Sequence, residues 1–181
     1  MKIAVCGSGL GESKIILEKA KEIGREIAKS KNILLTGGGS GYPYAAVRGA
    51  ILEKGKVTCY SPARDKDEHI SKYGFPFEEN AEYIFTGMGI PGRNLPLVQN
   101  ADSVIIIGGQ IGTLNEFTIA FALNKKIGIL EGSGKLVELI PKIAAVCDKR
   151  GESKKVFYSS SVKELVKKIL WFIKKYLYIP L

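Results

Sequence analysis

Two charged residues stand beside glycine-rich segments: Arg93 in Gly87-Met88-Gly89-Ile90-Pro91-Gly92-Arg93-Asn94, and Glu116 in Gly108-Gly109-Gln110-Ile111-Gly112-Thr113-Leu114-Asn115-Glu116. A carboxylate in such a place can activate water or steady a developing positive charge. A guanidinium can grip an oxyanion with two parallel N–H donors. Two further glycine turns follow apolar runs, Gly7-Ser8-Gly9-Leu10-Gly11 after Cys6 and Gly37-Gly38-Gly39-Ser40-Gly41 after Thr36. Glycine lets a ligand approach main-chain N–H groups, and at a helix N-terminus those groups and the helix dipole bind anions. Gly7, Ser8, Gly38, Gly39, Gly41, Gly109, Gly112 and Thr113 are therefore the expected phosphate-binding residues.

Spacing leaves the role of Glu116 open. If Thr113 opens a helix, Glu116 lies one turn in and faces whatever the loop holds, yet Thr113-Leu114-Asn115-Glu116 also fits a capping box. Arg93 is expected just before a helix capped by Asn94. A cation there opposes the dipole and calls for an anionic partner, which either a phosphate or Glu116 supplies.

Other chemistries fit poorly. Gly7-x-Gly9-x-Gly11 is followed by Glu12, not by the spacing of a dinucleotide fingerprint, and no acidic residue ends the second apolar run. Gly132-Ser133-Gly134-Lys135 lacks the leading glycine and trailing hydroxyl residue of a P-loop. The single histidine, His69, lies in a charged loop and is expected to be solvated. Cys6, Cys59 and Cys147 are far apart, and their expected state is reduced and mostly buried. Neither a metal nor a cofactor is expected.

The elements that must position these residues follow from periodicity. Short apolar runs at Lys2–Cys6, Asn32–Thr36, Lys56–Tyr60, Glu82–Thr86, Ser103–Ile107, Lys126–Leu130 and Lys155–Tyr158 read as strands. Helical segments are expected over 13–30, 41–53, 95–100, 113–124, 135–146 and 161–177. This alternation predicts an α/β fold, a Rossmann-like doubly wound parallel sheet of about seven strands with helices on both faces. Ligands of such sheets bind outside the carboxyl ends of the strands. The segment from Ser61 to Asn80 is expected to be irregular, either a flap over the site or a surface loop.

The 181 residues are expected to form a single domain spanning 1–181. No run reaches the roughly 18 apolar residues of a membrane span, and the N-terminus lacks the pattern of a signal peptide, so a cytoplasmic location is expected. The net charge of +9 favours anionic partners, but much of it sits in the last helix at Lys163, Lys167, Lys168, Lys174 and Lys175. That helix is amphipathic and opens on the capping box Ser161-Val162-Lys163-Glu164, which favours packing over membrane attachment. No nucleic-acid motif is present. Leu114, Phe117, Ala120 and Phe121, with the last helix, make apolar faces that predict a homodimer or larger homo-oligomer.

Ile107 to Glu116, with Arg93 upstream and Gly37 to Gly41, resembles the LOG-type family, the group often labelled "possible lysine decarboxylase". The resemblance covers roughly residues 2–131, and Arg93-Asn94 followed by Leu97-Val98 and Ala101-Asp102 is closer to a branch similar to molybdenum cofactor carrier proteins. It implies a nucleoside 5′-monophosphate phosphoribohydrolase with Arg93 and Glu116 catalytic. The alternative it implies is a non-catalytic carrier of a phosphorylated ligand, a nucleotide or molybdenum cofactor. Ile107 replaces the family's proline, and Gly92 and Asn94 replace the residues flanking its arginine. No pyridoxal-phosphate lysine motif is present, which argues against decarboxylation.

Overall fold

The structure is a computed structural model that describes residues 1–174. Seven strands form one sheet: β1 (Lys2–Gly7), β2 (Ile33–Thr36), β3 (Val57–Ser61), β4 (Glu82–Phe85), β5 (Ser103–Ile107), β6 (Lys126–Leu130) and β7 (Val156–Ser159). Their order is β4-β3-β2-β1-β5-β6-β7, and every neighbouring pair is parallel. The helices are α1 (Lys14–Lys29), α2 (Gly41–Leu52), α3 (Lys66–Ser71), α4 (Gly89–Gln99), α5 (Ile111–Ala122), α6 (Lys135–Cys147) and α7 (Val162–Lys174). This is a Rossmann-like doubly wound α/β fold.

Alternation along the strands divides the core. In β1, Ile3 and Val5 face α1, α2 and α7, where they meet Ile16, Ile23, Ala46 and Leu165. Ala4 and Cys6 point the other way, among Leu97, Val98, Phe117 and Ile140 of α4, α5 and α6. Both β3 and β5 are buried at every position, as a parallel sheet covered on both faces requires. Each large side chain removed from water contributes about 1.5–3 kcal/mol. Between β1 and β5 the winding reverses, so their outgoing loops part and leave a crevice.

Several boundaries differ from expectation. Helix α4 starts at Gly89, not at 95, so Arg93 is its fifth residue and Asn94 is buried within it rather than capping it. The density of Gly and Pro from Gly87 to Pro96 masks this helix in the sequence; Pro91 falls in its first turn, where a missing N–H costs nothing. Helix α5 starts at Ile111 with Gln110 as its N-cap, which removes the capping-box role from Thr113 and Glu116. The segment from Ser61 to Asn80 is irregular as expected except for the short helix α3, which Asp65 caps through Glu68 N. His69 is fully buried, not solvated. Its Nε2 lies 3.0 Å from Pro76 O, an acceptor, so the proton belongs there; Nδ1 then accepts from Ser61 Oγ at 2.8 Å. Cys6 and Cys59 are buried, whereas Cys147 is exposed.

Two surfaces expected to need a partner are, among the described side chains, largely covered by the chain itself. Phe117, Ala120 and Phe121 are in the core. On α7, Val162, Leu165, Val166 and Ile169 pack against the sheet, and Glu164 N donates to Ser161 Oγ at 3.4 Å. The helical residues expected at 175–177, Lys175 among them, lie outside the described residues. Among the described residues no helix is long and apolar enough to cross a membrane.

Candidate functional site

The crevice between β1 and β5 holds a cavity of about 380 Å³. The loop after β1 contributes Gly7, Ser8, Gly9 and Leu10, and the loop after β2 contributes Gly37, Gly39 and Ser40. Gln110, Gly112, Thr113 and Glu116 line it from α5 and its cap, and Ile90, Arg93 and Asn94 from α4. Tyr73, Gly74 and Phe75 complete the wall from the segment after α3.

Two helices begin at this cavity with nothing closing their first turn. Neither Ser40 of α2 nor Gln110 of α5 caps its helix with a side chain, and neither first turn carries an acid. Free N–H groups and two positive dipole ends therefore converge on one space, the arrangement that holds an anion. One of these N–H groups is spent locally, since Tyr42 N donates to Ser8 O at 2.9 Å.

Arg93 and Glu116 are brought together here. Both sit in the second turn of their helices, α4 and α5, and helical side chains lean back toward the N-terminus, so both reach the cavity. The helices are tied where they matter: Asn94 Nδ2 donates to Asn115 Oδ1 at 2.8 Å. Arg93 Nε and Nη1 are buried without a hydrogen-bond partner, and no ion pair joins Arg93 to Glu116. Such a guanidinium is costly to leave unsatisfied. Glu116 is 5% exposed, and burial pushes its carboxyl up to about 7, against the opposing pull of Arg93 and a hydrogen bond from the Cys6 thiol. Burial and the Glu116 charge push the Cys6 thiol well up, so it stays a protonated donor.

The expected phosphate ligands divide into two groups. Gly7, Ser8, Gly39, Gly112 and Thr113 line the cavity, whereas Gly38, Gly41 and Gly109 shape the loops behind it. Gly109 has φ +102, and a Cβ there would fall 2.2 Å from Thr113 Oγ1, so only glycine lets the turn fold under α5.

Sequence reasoning missed five contributors. Gly37 receives the guanidinium, since a Cβ there would fall 0.9 Å from Arg93 Nη1. Cys6 touches Glu116 from beneath; its place at the end of β1, directly before a glycine turn, was the available signal. Ser133, set aside with the incomplete P-loop, accepts from Gly108 N at 2.8 Å and donates to Leu130 O at 2.6 Å, bracing the third loop from behind. Tyr73 and Phe75 had no periodicity to reveal them. Among the described residues no group of three or more His, Cys, Asp or Glu is placed to hold a metal.

Fold and site together define a Rossmann-like protein with its cavity at the topological switch point. The chain belongs to the SLOG cluster4 family, whose sequence profile matches residues 1–166. It is 31% identical over 132 residues to an uncharacterized protein of Archaeoglobus fulgidus, covering 72% of this chain and 80% of that one. Among solved structures it is similar to TM1055, with 26% identity, a TM-score of 0.77, and coverage of 94% of this chain and 98% of the other. It is also similar to the molybdenum cofactor binding protein of Rippkaea orientalis, with 25% identity, a TM-score of 0.76, and coverage of 97% and 96%.

Proposed function

We propose that this protein is a phosphoribohydrolase that binds a nucleoside 5′-monophosphate in the β1–β5 cavity and cleaves its N-glycosidic bond. The observation that carries this reading is the buried pair of an unpartnered Arg93 guanidinium and a Glu116 carboxyl pushed up to about 7. The N-termini of α2 and α5, with Gly7, Ser8, Gly38, Gly39, Gly41, Gly109, Gly112 and Thr113 in or behind their loops, hold the phosphate. Arg93 supplies the donors that the phosphate satisfies. As the bond from C1′ to the base nitrogen breaks, the electron pair leaves with the base and positive charge grows on the ribose. The Glu116 carboxylate stabilises that charge and takes a proton from the water that adds to C1′. The departing base takes up a proton, and the products are free base and ribose 5-phosphate. A carboxyl that titrates near neutrality suits this work.

The direct test is incubation with a panel of nucleoside monophosphates and detection of free base. Release by the wild type and its loss in Glu116→Gln is the expected result; no release from any of them refutes hydrolysis.

A second reading, a non-catalytic carrier of a phosphorylated pterin, is favoured by the 25% identity and nearly full mutual coverage with the Rippkaea orientalis protein. It predicts stabilisation by ligand without turnover. In either reading we propose a homo-oligomer, supported by the apolar residues left exposed near the cavity at Leu10, Ile90 and Ile111. Light scattering that returns the monomer mass refutes assembly.

A further inference from the structure

The anion end accounts for only part of the cavity wall. Tyr73 and Phe75 line the same cavity, half-buried, and belong to neither of the two hydrophobic cores. Phe77, Tyr83 and Phe85 pack edge-on around the buried His69 ring as the interior of this segment, and Phe75 joins them at 5.6 Å while also lining the cavity. The Tyr73 and Phe75 rings lie 5.6 Å apart at 32°, with Gly74 between them also on the cavity wall. Gly74 has φ +62, the left-handed turn that lets both flanking rings face one way.

These rings are held in place before any ligand arrives. Tyr73 N donates to Glu68 O and Phe75 N to His69 O, at 3.3 and 3.2 Å. Phe75 rests on the second glycine loop, its Cζ 3.4 Å from where a Gly39 Cβ would stand. Farther along, Glu78 accepts from Tyr44 Oη at 2.6 Å and Arg48 Nη1 at 2.8 Å, which ties the segment to α2. Phe75 thus belongs both to the His69 cluster and to the cavity wall, and Tyr73, with Lys72 Nζ 5.3 Å from its ring centroid, adds a second aromatic ring to that wall.

We propose that Tyr73 and Phe75 form the subsite for a flat, fused heteroaromatic ring, the purine or pterin end of a phosphorylated ligand. The assignment rests on the phosphate site proposed above and adds what selects the rest of the molecule. Stacking accepts any base-sized π-face, so this subsite favours ring-bearing ligands over a bare sugar phosphate without distinguishing bases by hydrogen bonds.

The test is titration calorimetry of wild type, Tyr73→Ala, Tyr73→Phe and Phe75→Leu. The probes are a purine nucleoside 5′-monophosphate, a pterin monophosphate and ribose 5-phosphate. Tyr73→Ala is expected to weaken the ring-bearing probe by about tenfold while ribose 5-phosphate holds within about twofold, and Tyr73→Phe restores the loss. Equal loss for all probes, or no loss in Tyr73→Ala and Phe75→Leu alike, overturns the subsite while leaving the phosphate site standing. Ring-dependent binding without release of base retains the subsite and removes the hydrolase reading; tighter binding of the pterin probe then identifies the ring. Failure of every probe to bind the wild type overturns both.

Discussion

Replacing Glu116 by glutamine separates the electrostatics of the site from its chemistry. The buried carboxyl titrates at about 7 instead of its ordinary 4.5. A group raised in this way contributes stability that is whole below pH 4.5 and is lost as the pH rises through about 7. Near pH 8.5 the carboxylate is charged whether folded or unfolded, and holding it in the core costs the fold about 3 kcal/mol. Near pH 5 the folded group is protonated and the cost is about 1 kcal/mol, from partial ionisation of the unfolded chain. Glutamine carries no charge at either pH. Any fixed cost of fitting its amide beside Cys6 and Arg93 is the same at both, and the titration of every other group cancels between the two proteins. Glu116→Gln is therefore expected to gain about 2–3 kcal/mol over wild type between pH 5 and pH 8.5. Urea unfolding of both proteins at each pH measures the difference. A stability difference that does not change with pH refutes the raised carboxyl. If hydrolysis occurs, the same substitution lowers kcat by at least about a hundredfold.

Gly37→Ala places a methyl group where the Arg93 guanidinium lies; because that is the far end of a flexible side chain, the fold survives and the arginine moves. Phosphate affinity is expected to fall by about tenfold or more with little change in melting temperature, and unchanged affinity shows that Arg93 is not used. Cys6→Ala removes a hydrogen bond that lowers the Glu116 carboxyl, so the acid limb of any pH–rate profile moves upward. A downward move rejects that contact. Ser133→Ala strips Gly108 N and Leu130 O of a shared partner. Chemical unfolding should register a loss of about 1–3 kcal/mol, and a neutral result rejects the brace.

Much of this molecule is legible in its sequence, because parallel-sheet strands announce themselves by unbroken apolar runs. All seven strands and the helices α1, α2, α5, α6 and α7 fall within a few residues of expectation. What escapes notice has a common physical origin. Helix α4 is written in residues that usually break helices, and its early start moves Arg93 from a loop to the second turn. His69 sits among charges in sequence, yet it is enclosed by aromatic rings supplied from Phe75 to Phe85. The pairing of Cys6 with Glu116 depends on which face of β1 turns toward α5, a register that alternation gives only once the sheet order is known. Expected burial of Phe117 and Phe121 against a partner fails for the same reason: their own chain already covers them.

The second glycine loop shows how the cavity keeps its two duties apart. Its glycines look like a phosphate cradle, but their close neighbours are the protein's own side chains: Arg93 against Gly37, His69 Cε1 3.3 Å from a Cβ on Gly38, and Phe75 against Gly39. The loop thus seats a cation, a buried histidine and an aromatic wall side by side, and presents the N-terminus of α2 beyond them. In the proposed site, main-chain N–H groups at the helix N-termini supply part of the anion binding and survive most substitutions elsewhere. The proposed chemistry adds Arg93 and Glu116, two side chains on helices joined through Asn94 Nδ2, which donates to Asn115 Oδ1 at 2.8 Å and to Gly112 O at 3.5 Å. On that reading, loss of Glu116 keeps the fold, the cavity and the anion and removes the reaction, whereas loss of Arg93 also weakens the anion. One architecture can serve a binder or an enzyme for that reason, so function is read from the site and not from the fold.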